Sequence, residues 1–282
     1  AGTLTLFSGD IGIEQIVIGT GTSATAVTTG TAALNVNAAA LLTPVMITGN
    51  AGNNILTATS GNDTLNGGAG NDLLKGGEGS DIYLISSATD YSLAEIEDNG
   101  LAGIDEIRFG ASVSSTLTIF AGNIGVERVV IGTGVASNAI SSGTAALHVN
   151  ASNAANVLTI MGNAGNNTIT GTVFNDVIDG KAGTDIMDGR NGGDIYLIST
   201  DVEHKLAEIS DTGASGIDEI RFASVVANTT LTLYASDTGL ERVVIGTGTE
   251  SVANTTATTA LNINASAVIN ALIIMGNAGN NL

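Results

Sequence analysis

The chain of 282 residues has no cysteine and no tryptophan, and aromatic residues make up only 3 % of it. The lack of cysteine excludes disulfides and thiol chemistry. The scarcity of large rings argues against a thick core, so leucine, isoleucine and valine must supply the buried surface, which favours a thin stack of two sheets. The hydrophobic fraction of 43 % and the periodic apolar positions argue against disorder.

Basic residues are also scarce, since 8 lysines and arginines stand against 27 aspartates and glutamates, for a formal net charge of −19. This charge makes nucleic acid and anionic membrane surfaces poor partners. No stretch reaches the run of about 18 apolar residues that a membrane helix needs. The first residues lack the charged start and cleavage site of a secretory signal. The chain also opens and closes within a repeat, so we expect a segment of a longer protein.

What the sequence does contain is glycine and aspartate in a nine-residue pattern over residues 49–84. In register, this stretch reads GNAGNNILT, ATSGNDTLN, GGAGNDLLK and GGEGSDIYL, and the form recurs at 162–197. The first six residues of each unit predict a turn. The last three predict a short strand whose apolar eighth residue points inward. This spacing is typical of a parallel β-roll.

The nonapeptide blocks lie inside a longer repeat. GNAGNN begins at Gly49, Gly162 and Gly276, at offsets of 113 and 114 residues. The segments between the blocks alternate apolar and polar residues with the strand period, so the predicted fold class is all-β. The predicted divisions are a partial flanking segment (1–48), a first repeat (49–161, with its block at 49–108), a second repeat (162–275, with its block at 162–221) and the start of a third block (276–282).

Each long repeat is predicted to contain ten strands. If two strands make one coil, each long repeat forms five whole coils. The next copy of the repeat then starts in the same orientation as the previous one. This parity favours a parallel β-solenoid whose neighbouring coils bury one continuous core.

The nonapeptide turns have the composition of a cation site. Glycines at positions one, two and four adopt backbone angles closed to other residues, so that carbonyl oxygens crowd toward one point. Aspartate at position six adds a carboxylate, and calcium prefers six to eight oxygens at about 2.4 Å. Because two nonapeptides complete one coil, Asn54 and Asp72 share one edge of the roll, and Asp63 and Asp81 share the other. Stacked carboxylates repel one another without metal, so we expect folding and calcium binding to be coupled.

A fifth unit ends each block after the four nonapeptides, GLAGIDEIR at 100–108 and GASGIDEIR at 213–221. Asp81 and Asp105 are 24 residues apart, which corresponds to one coil with a six-residue insertion. We expect a third site between these two turns, to which Glu95 or Asp98 contributes.

These repeats resemble the RTX family, the nonapeptide-repeat proteins of bacterial type I secretion. The flanks are similar to the degenerate segments between such blocks in very large RTX surface proteins. The resemblance implies a location outside a Gram-negative cell, where millimolar calcium permits export in the unfolded state and folding afterwards. The implied side-chain ligands are Asp63, Asp72, Asp81, Asp105, Asp176, Asp185, Asp194 and Asp218, with the neutral oxygens of Asn54 and Asn167. The turn carbonyls expected to complete the sites are those of Gly67, Ala69, Gly76, Glu78, Gly180, Ala182, Gly189 and Asn191.

Several residues depart from the family pattern. The asparagines at position six offer a neutral oxygen and lower affinity. In the first block, Ala58 and Thr59 replace the opening glycines of the second unit. In the second block, Phe174 stands in place of a glycine, and Lys181 and Arg190 add positive charge. These departures predict weaker calcium binding in the second block.

No catalytic residue and no organic cofactor are predicted. Ser23 would need a nearby base to act as a nucleophile, and the later copies replace it with Ala136 and Glu250. The two histidines, His148 and His204, are predicted to lie on the surface.

A recurring acidic residue is expected to have only a surface role. Glutamate recurs at 14, 127 and 241, where it is followed by Gln15, Arg128 and Arg242. We expect exposed ion pairs at these positions.

The predicted function is therefore structural: a secreted, calcium-binding solenoid module of a cell-surface or extracellular assembly such as an adhesin stalk, an S-layer or a filament. Six filled sites would change the formal charge from −19 to −19 + 12 = −7, which favours association of copies end to end or laterally. One alternative is an RTX secretion and folding module attached to a secreted lipase, protease or epimerase. Another is a calcium buffer. Tandem copies without a distinct domain favour the structural role, so the chain is predicted not to be an enzyme.

Overall fold

A computed structural model of the protein describes residues 2–21, 26–93 and 95–282. The chain divides into two compact units: unit 1 comprises 1–140 with 153–155, and unit 2 comprises 141–152 with 156–282. Both are built of short strands, and helix among the described residues is limited to one 3-10 turn at Ala88–Asp90. In the same part of the chain, no helix has the length and apolar character to cross a membrane.

Unit 1 consists of parallel strands that alternate between two sheets. Strands β1, β3, β5 and β7 form one sheet, and β2, β4, β6, β8, β9 and β11 lie side by side in that order in the other. The strands of unit 1 are β1 (Gly2–Thr5), β2 (Gln15–Val17), β3 (Leu34–Asn37), β4 (Met46–Thr48), β5 (Ile55–Thr57), β6 (Thr64–Asn66), β7 (Leu73–Lys75), β8 (Ile82–Ile85), β9 (Glu106–Phe109), β10 (Ser115–Thr118) and β11 (Arg128–Ile131).

Unit 2 repeats this arrangement. Strands β12, β14 and β16 form one sheet, β13, β15, β17, β18, β20 and β22 lie in order in another, and β19 pairs with β21. The strands of unit 2 are β12 (Leu147–Asn150), β13 (Thr159–Met161), β14 (Thr168–Thr170), β15 (Val177–Asp179), β16 (Ile186–Asp188), β17 (Ile195–Ile198), β18 (Glu219–Phe222), β19 (Thr229–Thr232), β20 (Arg242–Ile245), β21 (Leu261–Asn264) and β22 (Ile273–Met275).

The register of the strands gives the length of each coil. Ile55 pairs with Leu73 and Thr64 with Ile82, so a residue lies beside the one 18 positions later. Ile82 then pairs with Glu106, which is 24 positions later. The predicted coil of two nonapeptides, and the six-residue insertion after the block, are both confirmed.

The core of each roll lies between its two sheets and is formed by the eighth residue of every nonapeptide. These eight side chains are each no more than 1 % exposed: Leu56, Leu65, Leu74, Tyr83, Ile169, Ile178, Met187 and Tyr196. The turns on either side then face away from this apolar interior and toward the edges of the roll. The all-β, parallel β-roll class is confirmed.

Candidate metal centres

In unit 1, aspartates at position six link each coil to the next along one edge of the roll. The backbone N–H of Asp63 donates to Asp81 Oδ1 at 2.7 Å, and the N–H of Asp81 donates to Asp105 Oδ1 at 2.7 Å. The N–H of Asp105 donates in turn to Glu127 Oε2 at 2.9 Å. We refer to these four acidic residues as the long ladder of unit 1. On the opposite edge, the N–H of Asn54 donates to Asp72 Oδ1 at 2.7 Å.

The same bonds recur in unit 2. The N–H of Asp176 donates to Asp194 Oδ1 at 2.7 Å, and the N–H of Asp194 donates to Asp218 Oδ1 at 2.8 Å. Glu241 Oε2 accepts the N–H of Asp218 at 2.9 Å, so these four residues are the long ladder of unit 2. On the other edge, the N–H of Asn167 donates to Asp185 Oδ1 at 2.7 Å.

Four ladder or edge aspartates have one oxygen without a partner. Among the described residues, Oδ2 of Asp72, Asp81, Asp185 and Asp194 is buried and accepts no hydrogen bond. The four residues are 6 % exposed or less. A buried carboxylate oxygen without a partner carries a large desolvation cost. A cation between the coils is the kind of group that would remove this cost, so these residues fit a metal.

Glycine provides the space beside these oxygens. A Cβ added at Gly67 would collide with Asp72 Oδ2, and a Cβ added at Gly76 would collide with Asp81 Oδ2. The donors around the gap are oxygen atoms, which are the ligands that calcium prefers. Of the predicted carbonyls, those of Gly67, Gly180 and Gly189 lie against glycines of the preceding coil. Ligation by these and the other turn carbonyls remains a prediction.

The first aspartate of each long ladder is satisfied by threonine. Asp63 Oδ2 accepts the N–H and the hydroxyl of Thr59, both at 2.8 Å. In unit 2, Asp176 accepts the N–H of Thr172 at 2.6 Å and its hydroxyl at 3.1 Å. Threonine occupies position two of these nonapeptides, and its N–H and hydroxyl both donate to the carboxylate. In the later turns, a cation would take the place of these two donors. Departure from glycine at this position therefore has a structural role.

The two asparagines at position six also have protein partners. Asn54 Oδ1 accepts the N–H of Asn50 at 2.9 Å, and Asn54 Nδ2 donates to the carbonyl of Leu34 at 2.6 Å. Asn167 makes the equivalent bonds in unit 2 at 2.9 and 2.7 Å. Their amides already stabilise the turn without a charge. Their role as metal ligands remains a prediction.

A further aspartate lies beside the last pair of each ladder. Oxygens of Asp81, Asp98 and Asp105 all lie within 4.8 Å of one another, and all three residues are buried. Asp194, Asp211 and Asp218 form the same cluster in unit 2. Burial raises the pKa of Glu95, the other residue considered for this gap, to about 7, and the charge of Asp72 adds to this effect, so Glu95 lies near Asp72 instead. Asp211 was not singled out from the sequence, although it is the repeat equivalent of Asp98.

Burial raises the pKa of the position-six aspartates above its usual range. Burial raises the pKa of Asp72 to about 6, of Asp105 to about 7 and of Asp81 to about 8. The charges of Asp63, Asp105 and Asp98 add to the effect of burial on Asp81. In unit 2, burial raises the pKa to about 6 for Asp176, about 7 for Asp185 and Asp218, and about 8 for Asp194. Without a cation, these sites retain protons near neutral pH.

The positive charges of the second block have partners outside the ladder. Lys181 Nζ lies 2.7 Å from Asp179 Oδ2, and Arg190 Nη1 donates to the carbonyl of Ser152 at 3.0 Å. Both residues have positive φ, 66° and 75°, where unit 1 has the glycines Gly68 and Gly77. A side chain with such a φ costs on the order of 1 kcal/mol.

We expect the double substitution K181G/R190G to lower the calcium midpoint of the second block about threefold. It removes two positive charges from the block and replaces strained residues with glycine. The reciprocal variant G68K/G77R is the matched control, and it should raise the midpoint of the first block. Calcium titrations followed by circular dichroism measure the calcium midpoints of both variants. Unchanged midpoints in both variants would show that these positions do not affect calcium binding.

The prediction that His204 lies on the surface is wrong. His204 is 3 % exposed, its Nε2 lies 2.9 Å from Asp237 Oδ2, and its Nδ1 lies 3.5 Å from Glu208 Oε2. Burial alone would lower the pKa of His204, but these two carboxylates outweigh burial and raise it to about 9. The sequence does contain a signal for this buried pair, because two residues change together between the copies. Unit 1 has a hydrogen-bonded Tyr91 and Asn123 where unit 2 has His204 and Asp237.

The prediction of exposed ion pairs at Glu127 and Glu241 is also wrong. Arg128 Nε contacts Glu106 Oε2 at 2.5 Å, while Glu127 caps the ladder. Arg242 likewise pairs with Glu219. The reason is that successive strand residues point to opposite faces, so a glutamate and the arginine after it do not meet.

His148, the other histidine considered for catalysis, has a structural hydrogen bond. His148 is half-buried, and its Nδ1 accepts the N–H of Thr168 at 2.9 Å. Asn35 Oδ1 accepts the N–H of Ile55 in the same way in unit 1. Ser23 lies outside the described residues.

Comparison with known families agrees with the geometry of these edges. The family model of the RTX calcium-binding nonapeptide repeat (four copies) matches residues 48–83 and 161–196. These two blocks belong to the RTX family, and repeats of this family bind calcium. Searches of curated proteins and of solved structures found no match to the chain.

Proposed function

We propose that this chain is a calcium-dependent structural repeat module of an extracellular bacterial assembly and has no catalytic role. The observation that carries the proposal is the set of buried, unpartnered Oδ2 atoms at equivalent turns of both units. Without metal, these oxygens destabilise the folded roll, because they are desolvated and because the stacked carboxylates repel one another. Calcium, when bound, supplies the positive charge that the turns lack.

Different residues would ligate the ion, orient the ligands and leave space for the ion. Asp72, Asp81, Asp185 and Asp194 would each ligate through Oδ2, because Oδ1 of each accepts a backbone N–H from the previous coil. That hydrogen bond orients the carboxylate before the ion arrives. The glycine beside each Oδ2 leaves room for it. Asp63, Asp105, Asp176 and Asp218 would complete the charge of the long ladders.

The proposed location follows from the chemistry of the site and from the family. RTX repeat proteins are generally secreted by bacteria, and calcium outside the cell is abundant enough to fill sites of moderate affinity. Filling six sites would reduce the formal charge from −19 to −7, which lowers repulsion between copies. We therefore propose that calcium-loaded copies associate, end to end or laterally, in an adhesin stalk, an S-layer or a filament.

The test is a calcium titration of the chain followed by far-UV circular dichroism and analytical ultracentrifugation. At pH 8, the wild-type chain should gain β signal cooperatively and associate as calcium is added, and chelator should reverse most of this gain. The variant D72N/D81N/D185N/D194N should need at least tenfold more calcium. A matched control, D10N/E14Q/D201N/E250Q, removes four exposed acids and should stay within about twofold of wild type.

Three outcomes are informative. Folding that is indifferent to chelator contradicts calcium dependence. A calcium-loaded chain that folds but stays monomeric at all concentrations contradicts the role in assembly and favours a folding module or a calcium buffer. If D72N/D81N/D185N/D194N and the surface control raise the calcium midpoint equally, then net charge, and not ligation, sets that midpoint.

A further inference from the structure

One gap of each long ladder lies beyond the nonapeptide match. The match ends at residue 83 in unit 1 and at residue 196 in unit 2. Asp98 and Asp105 come after this limit, on the coil that carries the six-residue insertion. We call the space between the turns of Asp81 and Asp105, with Asp98, the third gap of unit 1. Asp194, Asp211 and Asp218 surround the third gap of unit 2.

The oxygens of the third gap have the separation that one calcium ion requires. Oxygens of Asp81, Asp98 and Asp105 lie within 4.8 Å of one another. An ion that lies about 2.4 Å from each ligand can contact oxygens up to about 4.8 Å apart. Asp81 is fully buried, and its Oδ2 has no hydrogen-bond partner among the residues that the structure describes. In unit 2, the same holds for Asp194 and its Oδ2 within the described part of the chain.

A tyrosine holds the additional aspartate toward the gap. Tyr83 Oη accepts the N–H of Gly76 at 3.0 Å and donates to Asp98 Oδ2, and Asp98 Oδ1 accepts the N–H of Gly100 at 2.9 Å. A Cβ at Gly76 would collide with Asp81 Oδ2 and lie 2.6 Å from Asp98 Oδ2. Both oxygens therefore converge on the space that this glycine leaves open.

Unit 2 builds the same arrangement from its own residues. Tyr196 Oη accepts the N–H of Gly189 at 2.7 Å and donates to Asp211 Oδ2 at 2.6 Å. Asp211 Oδ1 accepts the N–H of Gly213 at 2.6 Å. Two copies with different neighbouring sequences thus orient the third carboxylate identically.

The third gap contains three carboxylates, more than the other gaps of the ladder and the opposite edge. The gap between Asn54 and Asp72 has one. The gap between Asp63 and Asp81 has two, and the hydroxyl and N–H of Thr59 already satisfy Asp63 Oδ2. The third gap has three, and none of them forms an ion pair with a basic side chain in the described part of the chain.

We propose that the tightest calcium site of each unit is its third gap, formed by Asp81, Asp98 and Asp105 in unit 1 and by Asp194, Asp211 and Asp218 in unit 2. The site rests on the proposed calcium-dependent function and extends it beyond the nonapeptide blocks. Its ligands come from the last turn of the block and from the next coil. The ion therefore joins the block to its flanking segment, and it is the first to bind.

The test compares D98N/D211N with D201N/E250Q by calorimetric titration of calcium. Each variant removes two acids, but Asp201 and Glu250 are exposed. D98N/D211N should lose two ions per chain from the tightest class, or bind them at least tenfold more weakly. The weaker sites and the control should be unchanged.

Terbium gives an independent readout of position. The chain has four tyrosines and no tryptophan, and Tyr83 and Tyr196 contact the third gaps. Excitation of tyrosine should therefore sensitise Tb³⁺ emission at the first two equivalents, and Y83F/Y196F should reduce this emission at least fivefold. If D98N/D211N does not fold, an anomalous difference map of Tb³⁺-soaked wild-type crystals locates the ions directly.

The outcomes separate this inference from the proposed function. A wild-type chain that binds no calcium contradicts both. A wild-type chain that binds calcium, with D98N/D211N keeping every tight site or with no anomalous peak in the third gaps, overturns the inference alone.

Discussion

Without calcium, the chain is expected to be more stable at pH 5 than at pH 8. Burial raises the pKa of eight carboxyls to between about 6 and about 8: Asp72, Asp81, Glu95, Asp105, Asp176, Asp185, Asp194 and Asp218. The folded metal-free state therefore binds more protons than the unfolded state between about pH 4 and pH 8, so stability falls as pH rises through this window.

The effect should be large because many groups act in the same direction. One unit of pKa shift corresponds to about 1.4 kcal/mol, and partial solvent screening reduces each contribution. A sum of several kcal/mol remains, and thermal unfolding in chelator should show a midpoint about 10 °C higher at pH 5 than at pH 8. His204 acts in the same direction, because its raised pKa, about 9, adds stability that is lost as pH rises through that value.

Calcium should reverse this dependence. The ion replaces protons at the carboxylates, so its stabilising effect is largest at pH 8 and small at pH 5. The isosteric variant D81N/D194N is the matched control. It should flatten the pH dependence of the metal-free chain and raise its stability at pH 8, while it weakens the response to calcium. Metal-free stability that increases from pH 5 to pH 8 would contradict the burial of charged ladders.

Replacing His204 with glutamine is expected to destabilise unit 2 by about 3–5 kcal/mol, the typical cost of breaking a buried ion pair. Asp237 and Glu208 are 1 % and 0 % exposed, and they would lose their only described cationic partner. The measurement is urea unfolding of the whole chain in saturating calcium, at a pH below the raised pKa of His204.

Unit 1 provides the control for this substitution. H204Y/D237N installs the Tyr91 and Asn123 pair of the first copy, which carries no charge. The double variant should recover most of the stability that H204Q or D237N loses, because it removes the imidazolium and one of its carboxylates together. If the double variant costs as much as the two single substitutions combined, the two residues do not act as a pair.

The nonapeptide period was sufficient to predict the coil. A repeat of nine residues with strand-forming positions at its end stacks in register when each coil contains a whole number of repeats. With two strands in a coil, equivalent residues are 18 apart, and Ile55 pairs with Leu73 accordingly. The same period predicts that position eight is buried and that position-six aspartates follow two edges. These features depend on the spacing of residues close together in the chain, so they can be predicted from a single sequence.

Residues outside the period were harder to place. Asp98 and Glu95 lie three residues apart on the inserted coil, and only the path of that coil decides that Asp98 joins Asp81 while Glu95 lies near Asp72. Thr59 reads as a departure from glycine, yet its hydroxyl satisfies Asp63. Glu127 reads as half of a surface ion pair, yet it accepts the N–H of Asp105.

The amino-acid sequence alone determined the class of fold, the kind of cation and the carboxylates that repeat with the coil, because all three follow from short-range spacing and composition. The tertiary structure decided which carboxylate oxygens lack a partner among the described residues, which gap brings three carboxylates together and which histidine is buried between two acids. These properties depend on contacts between coils 18 to 33 residues apart. Such contacts are set by how insertions of unequal length fold back against the roll, and the period of the repeat does not specify this.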